Sequence, residues 1–169
     1  MTASEQPTGS GDIVIAISRD DHWAHAYEDE RTALGVRTFG RSGQDPSDIE
    51  FFDVSGRSLT PEFGPDGELT GLQAGSSSAD PDTVHRRLRA VVAYAGDYLS
   101  QQPAEVAEVL QHRGLSVEQA REQLPDLEGG SLEEDLRRAR SLFGPHPMDG
   151  DLQNRGSVWH NLFVHGMRT

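Results

Sequence analysis

Residues 49–72 read IEFFDVSGRSLTPEFGPDGELTGL. Ile49 to Val54 is short and rich in β-branched and aromatic residues, the composition of a strand. Ser55-Gly56 then supplies a tight turn between extended arms that run from Phe52 to Thr60. Pro65-Asp66-Gly67 supplies a second turn before Glu68-Leu69-Thr70-Gly71-Leu72. The glycines of the two turns lie eleven residues apart, the spacing of a β-meander and not of a helical array. This stretch therefore sets the chain's first half as antiparallel sheet.

Upstream of it, Ile13 to Ile17 is an unbroken apolar run, Ile-Val-Ile-Ala-Ile, which reads as a strand buried on both faces and is expected at the centre of the sheet. Ser18-Arg19-Asp20-Asp21 follows and can cap a turn or a short helix carrying His22, Trp23 and His25. Glu28-Asp29-Glu30 reads as a solvated charge run. Val36 to Phe39 is a further expected strand. Met1 to Gly11 is polar and rich in Gly, Ser and Thr, with no basic segment leading into an apolar run, so it reads as a disordered tail without a targeting signal.

Downstream, Gln73 to Ala79 reads as a Gly/Ser linker, and beyond it the grammar becomes helical. Asp80 fits an N-cap, with Pro81 at the first helical position and Asp82 beside the positive end of the dipole. Val84, Leu88, Val91, Val92, Ala95 and Leu99 make one apolar stripe on a helix of about four turns. Arg86, Arg87 and Arg89, the densest basic cluster, are assigned to the opposite face. Pro103 opens a second helix with Val106, Val109 and Leu110 inward and Gly114 as its stop. Ser116-Val117-Glu118-Gln119 and Ser131-Leu132-Glu133-Glu134 each match the capping box. They start two more helices, one ending before Pro125 and one placing Leu132, Leu136, Ala139 and Phe143 on one face up to Gly144.

Segregated strands and then helices predict an α+β fold. Its expected parts are a tail over 1–11, a small mainly antiparallel sheet over 12–72, the linker over 73–79 and about four short helices over 80–144 packed on the sheet. A Gly- and His-rich tail over 145–169, apolar from Val158 to Val164, is expected to dock back on the core.

Twenty-eight acids against fifteen basic residues give a formal net charge of -13, which disfavours nucleic-acid backbones and anionic membrane surfaces and favours a basic or neutral protein partner. Protonating all seven histidines would bring that charge to -6, so association is expected to respond to pH near the histidine range. The chain has no cysteine, which removes disulfides, thiolate metal sites and cysteine nucleophiles and suits a reducing cytoplasm. Every basic residue is arginine, a pattern that either codon usage or avoidance of a lysine-directed modification produces. It excludes Schiff-base and P-loop lysines and leaves histidine as the one basic side chain able to switch near neutrality.

Three constellations offer chemistry. His22 and His25 with His160 and His165, supported by Asp21 or Asp20, are the ligand types a cysteine-free protein would use for a divalent metal, or general acid/base groups of a small enzyme. His22-x-x-His25 lacks the i, i+4 spacing and the glutamate of the zinc-protease motif. Core aromatics with neighbouring histidines explain the same residues. His146 to Asp151 offers oxygen ligands beside Gly150 but no EF-hand spacing, and reads as an ordinary turn. Ala104 to Leu124 has the outline of a helix-turn-helix, but its second helix sets Arg121 and two glutamines against Glu118 and Glu122, which fits packing better than DNA reading. Arg86, Arg87 and Arg89 are candidates to clamp an acidic partner segment or phosphate, or to pair internally. No Gly-x-Ser-x-Gly elbow and no dinucleotide fingerprint is present. The expected function is that of a cytoplasmic interaction or regulatory module, an adaptor, inhibitor or immunity-type partner. A small His/Asp enzyme is the alternative and a DNA-binding regulator the second alternative. Nothing in the sequence speaks against a homo-oligomer.

Overall fold

The computed structural model describes residues 13–22, 24–27, 29–34, 46–101, 104–112 and 114–136. The expected strand at 36–39, the tails at 1–11 and 145–169, and the turn at 146–151 lie outside them. Among the described residues, five strands form one antiparallel sheet: β1 (Val14–Ser18), β2 (Ala24–Tyr27), β3 (Ile49–Phe52), β4 (Ser58–Phe63) and β5 (Leu69–Ala74), in the order β2-β1-β3-β4-β5. Four helices are α1 (Glu30–Leu34), α2 (Pro81–Gln101), α3 (Ala104–His112) and α4 (Val117–Glu122), and a further helical stretch at 132–136 is α5. The architecture is α+β, sheet first and helices after.

The meander forms as its turns dictate. Gly56 and Gly67 hold φ of 79° and 75°, the left-handed region that glycine enters without a Cβ penalty. The amide of Gly56 donates to Asp53 O at 3.0 Å and that of Gly67 to Gly64 O at 3.0 Å, closing the two turns. β1 is buried at all five positions, as the apolar run requires, but it lies one strand from the edge and β3 is the middle strand. Of the turn or short helix expected after β1, residues 19–22 form the turn. It closes a hairpin onto β2, with Ile17 opposite Ala24 and Val14 opposite Tyr27.

The registers divide the sheet into two faces, because successive side chains alternate. Ile15, Ile17, Ala24, Ala26, Glu50 and Phe52 share one face, and Val14, Ala16, His25, Tyr27, Ile49, Phe51 and Leu59 share the other. α1 lies against both edge strands, β2 and β5, so the sheet is curled.

Helix α2 runs for 21 residues, about six turns and not four. Asp80 Oδ1 accepts from the Thr83 amide at 3.0 Å, the N-cap bond. Val84, Leu88, Val91, Ala95 and Leu99 are buried and Val92 is half-buried, the stripe the spacing predicts. The Gly/Ser stretch before it is tied at both ends: Gly75 donates to Ser58 O at 2.9 Å and Asp80 to Gly56 O at 3.1 Å. α3 ends in a Schellman motif, with Leu115 N–H to Leu110 O and Gly114 N–H to Gln111 O, both 3.0 Å, and Gly114 at φ 67°. α4 starts at the complete capping box of Ser116 and Gln119 and contacts both α2 and α3. The second box is also formed, Ser131 donating from its amide to Glu134 Oε2 at 3.2 Å and Glu134 N–H to Ser131 Oγ at 3.3 Å. Val106, Leu110, Ala120, Leu132 and Leu136 are buried. Ala139 and Phe143, assigned to the same face as Leu136, lie outside the described residues. Among the described residues no helix is long and apolar enough to cross a membrane.

Candidate functional site

Polar chemistry concentrates where the β1–β2 hairpin meets α2. The hairpin loop is held by its own side chains. Asp21 sits at φ 57°, a conformation aspartate tolerates better than most residues, and its amide donates to Ser18 O at 3.0 Å. Ser18 Oγ donates to Asp20 Oδ1 at 2.6 Å, and the His22 amide lies 3.1 Å from both Ser18 Oγ and Asp20 Oδ1. Asp20 Oδ2 in turn stands 3.2 Å from His22 Nδ1, while the imidazole remains 47 % exposed.

The His22 ring lies flat on Tyr94, with centroids 3.7 Å apart and planes inclined by 6°. Tyr98, one turn further along α2, meets Tyr94 at 6.2 Å in a tilted arrangement. Partial burial opposes ionisation of Asp20, but the Ser18 hydroxyl, the His22 amide and the nearby imidazole outweigh it and hold the carboxyl below its usual 3.8. Burial, with Tyr98 and the Asp20 charge adding to it, pushes the Tyr94 hydroxyl above its usual 10.0. The pair therefore presents a carboxylate and a neutral phenol to the imidazole between them at ordinary pH.

Two turns before Tyr94, on the same side of α2, Arg87 enters the sheet and is 14 % exposed. Its Nε donates to Asp21 Oδ1 at 2.7 Å, its Nη2 to Ser18 O at 2.9 Å and its Nη1 to Glu50 Oε2. The guanidinium carbon stands 5.6 Å from the centroid of Phe52. Arg87 thus pins the hairpin and β3 to α2.

The sequence candidates take different places. Arg87 is turned inward and joins internal carboxylates, the internal pairing the sequence offered beside a partner clamp. Arg86 and Arg89 are exposed, Arg86 donating to Thr83 Oγ1 at 3.2 Å and Arg89 to Glu128 Oε1 at 3.5 Å. Asp21 faces Arg87, and Asp20 takes the position beside His22. His25 is buried on β2, tilted against Tyr27 at 4.4 Å. His22 and His25 therefore have different neighbours, and His160 and His165 lie outside the described residues. Among the described residues no three histidine or carboxylate side chains gather as a metal ion would require.

A second polar cluster escaped the sequence reading. His85 Nε2 lies 2.6 Å from Asp135 Oδ2 and 2.8 Å from Leu127 O, so that nitrogen carries the proton and faces two acceptors. Asp135 is wholly buried. Its position was a usable signal: three residues after Leu132 and one before Leu136, it falls on the apolar stripe of α5, where a carboxylate needs a partner. The pair joins α5 and the loop before it to α2. No protein-family model, no curated protein and no solved structure matches this chain.

Proposed function

We propose that the protein is a regulatory interaction module, an adaptor or inhibitor, that meets a basic or neutral protein through its helical half. The observation that supports this reading most is the outer surface of α4, α5 and the loop between them. Glu118, Glu122, Asp126, Glu128, Glu133 and Glu134 are all exposed there, against the exposed Arg121 and Arg89. A predominantly acidic surface of this kind steers encounter with a partner of opposite charge and disfavours like-charged polymers. The same surface speaks against a DNA-reading role for α4, whose outward side chains include Glu118 and Glu122. The absence of cysteine suits work in a reducing cytoplasm.

The test compares partner capture by the wild-type protein with capture by a quadruple charge reversal, Glu118→Arg, Glu122→Arg, Glu128→Arg and Glu133→Arg. Expected is a defined partner whose retention falls with salt and disappears in the variant. Identical capture by both proteins would remove the acidic helices from the interface.

A second reading rests on Asp20 and His22. A carboxylate beside Nδ1 orients an imidazole and supports it as a general base. His22→Asn, which keeps a polar side chain, would abolish any hydrolytic activity found with the wild-type protein while leaving its melting temperature within a few degrees. Full activity in the variant would end that reading.

A further inference from the structure

We infer that the sheet face turned away from Arg87 carries a binding cleft for a small amphipathic acid, an apolar body with one anionic head. The cleft has a volume of about 610 Å³, and its lining includes Ile49, Phe51, Leu59, Pro61, Phe63 and Arg19. That volume lies in the range of about 300–1,000 Å³ typical of small-molecule sites.

The sequence explains why the sheet opens there. Asp53 N–H donates to Arg57 O, so Asp53 and Arg57 form a hydrogen-bonded pair across the first turn. Such pairs alternate along an antiparallel ladder, which makes Phe51 with Leu59 the next one and Ile49 with Pro61 the one after. Pro61 has no N–H to give. The β3–β4 pairing accordingly reaches Phe51 and Leu59 and goes no further, whereas β4 continues its pairing with β5 through Pro61 and Leu72. The ladder between the two strands ends at Leu59, and the cleft lies where it ends, lined by residues of both. A bulge at Glu62 and Phe63 adds to the bend of β4 at the same end.

The charge at the site selects the ligand. Leu59, Pro61 and Phe63 are half-buried and offer apolar surface to a ligand's body, above the buried Ile49 and Phe51. Of the two charged residues on the lining, Glu50 is engaged by Arg87 from the other face. Arg19 is exposed and, among the described residues, pairs with no carboxylate, while its backbone is fixed by donating to Asp48 O at 2.8 Å. Arg19 therefore gives the lining of the cleft one positive charge that Glu50, held by Arg87, does not take up. A carboxylate or sulfonate on an apolar ligand meets it with charge-assisted hydrogen bonds.

The probes are anilinonaphthalenesulfonate and its neutral counterpart phenylnaphthylamine, both fluorescent on entering an apolar site, titrated into the folded full-length protein. The sulfonate is expected to bind at one site per chain and about tenfold more tightly than the amine, the ratio one charge-assisted contact supplies. Arg19→Glu should erase that ratio while leaving amine binding and the melting temperature in place, and Arg19→Gln should fall between. Equal affinity of the two probes for the wild type, unchanged sulfonate binding in Arg19→Glu, or binding of neither probe would each overturn the inference.

Discussion

At the scale of single residues, Arg87 is the side chain whose loss should cost most. It serves Asp21, Glu50 and the Ser18 carbonyl at once from a position 14 % exposed. Arg87→Met leaves two carboxylates facing each other's space without their counter-charge. Both keep some contact with water, at 30 % and 42 % exposure, so the cost falls below the about 3–5 kcal/mol of a fully buried pair, at about 2–3 kcal/mol in urea unfolding. Arg87→Lys should recover less than half of it, because an ammonium cannot serve three acceptors in the fork geometry of a guanidinium. A cost under about 0.5 kcal/mol for Arg87→Met would mean that the clamp behaves as an ordinary surface pair. Asp80 acts through its cap. The Thr83 hydroxyl and then the Thr83 amide hold its carboxyl below 3.8, with Arg86 assisting and slight desolvation opposing. Its folded-state pKa is thus lower than its unfolded one, so the stabilisation is complete above 3.8 and is lost as pH falls through the folded value. Urea unfolding of wild type and Asp80→Ala should differ at about pH 6, and the difference should shrink by about pH 3. A gap that stays constant would assign the effect of Asp80 to helix propensity and not to its charge.

At the scale of elements, the two glycines that end segments differ in what surrounds them. Gly114 closes α3 at φ 67°, and a Cβ added there meets nothing within 4 Å. Gly56 closes the β3–β4 turn at φ 79°, and a Cβ there would stand 2.4 Å from Pro81 N and 2.5 Å from the Asp80 carbonyl carbon. Gly114→Ala should therefore cost only the left-handed penalty, about 1–2 kcal/mol. Gly56→Ala adds a backbone clash between the meander and the start of α2 and should cost at least twice as much in the same unfolding assay. Equal costs would show that the turn and the helix start move apart freely. These elements also show what could be read before any coordinates. The helix boundaries at Asp80, Gly114, Ser116 and Ser131 follow from bonds that reach only a few residues, and so do the meander turns. β2 does not. Ala24-His25-Ala26-Tyr27 holds two alanines and no β-branched residue, and its extended state comes from pairing with Val14 to Ile17. The candidate site divides the same way. Asp20, Asp21 and His22 stand out in the sequence, but Arg87 reaches Asp21 across 66 positions of chain, and no local pattern records such a pairing.

At the scale of the whole molecule, the internal ion pairs leave most of the charge unspent. Arg87 answers Asp21 and Glu50, and Arg89 reaches Glu128, while the chain as a whole remains at -13. Self-repulsion of that size opposes the compact state and is relieved by counterions. Raising the salt from about 0.01 M to about 0.15 M shortens the Debye length from about 30 Å to about 8 Å, less than the distance between many of the exposed acids but more than the length of any single pair. Repulsion summed over the surface should therefore weaken more than the close pairs do, and the thermal midpoint should rise by roughly 2–4 °C, the shift that corresponds to about 1 kcal/mol in a chain of this size. The contribution of Arg87 supplies the internal control. Because the guanidinium is shielded from solvent, the cost of Arg87→Met should stay nearly the same at both salt concentrations, whereas a cost set by exposed charges would fall. A midpoint that drops with salt in the wild type would show instead that attraction among the surface charges exceeds repulsion, and the acidic helical surface would then be internally compensated and a poor lure for a basic partner.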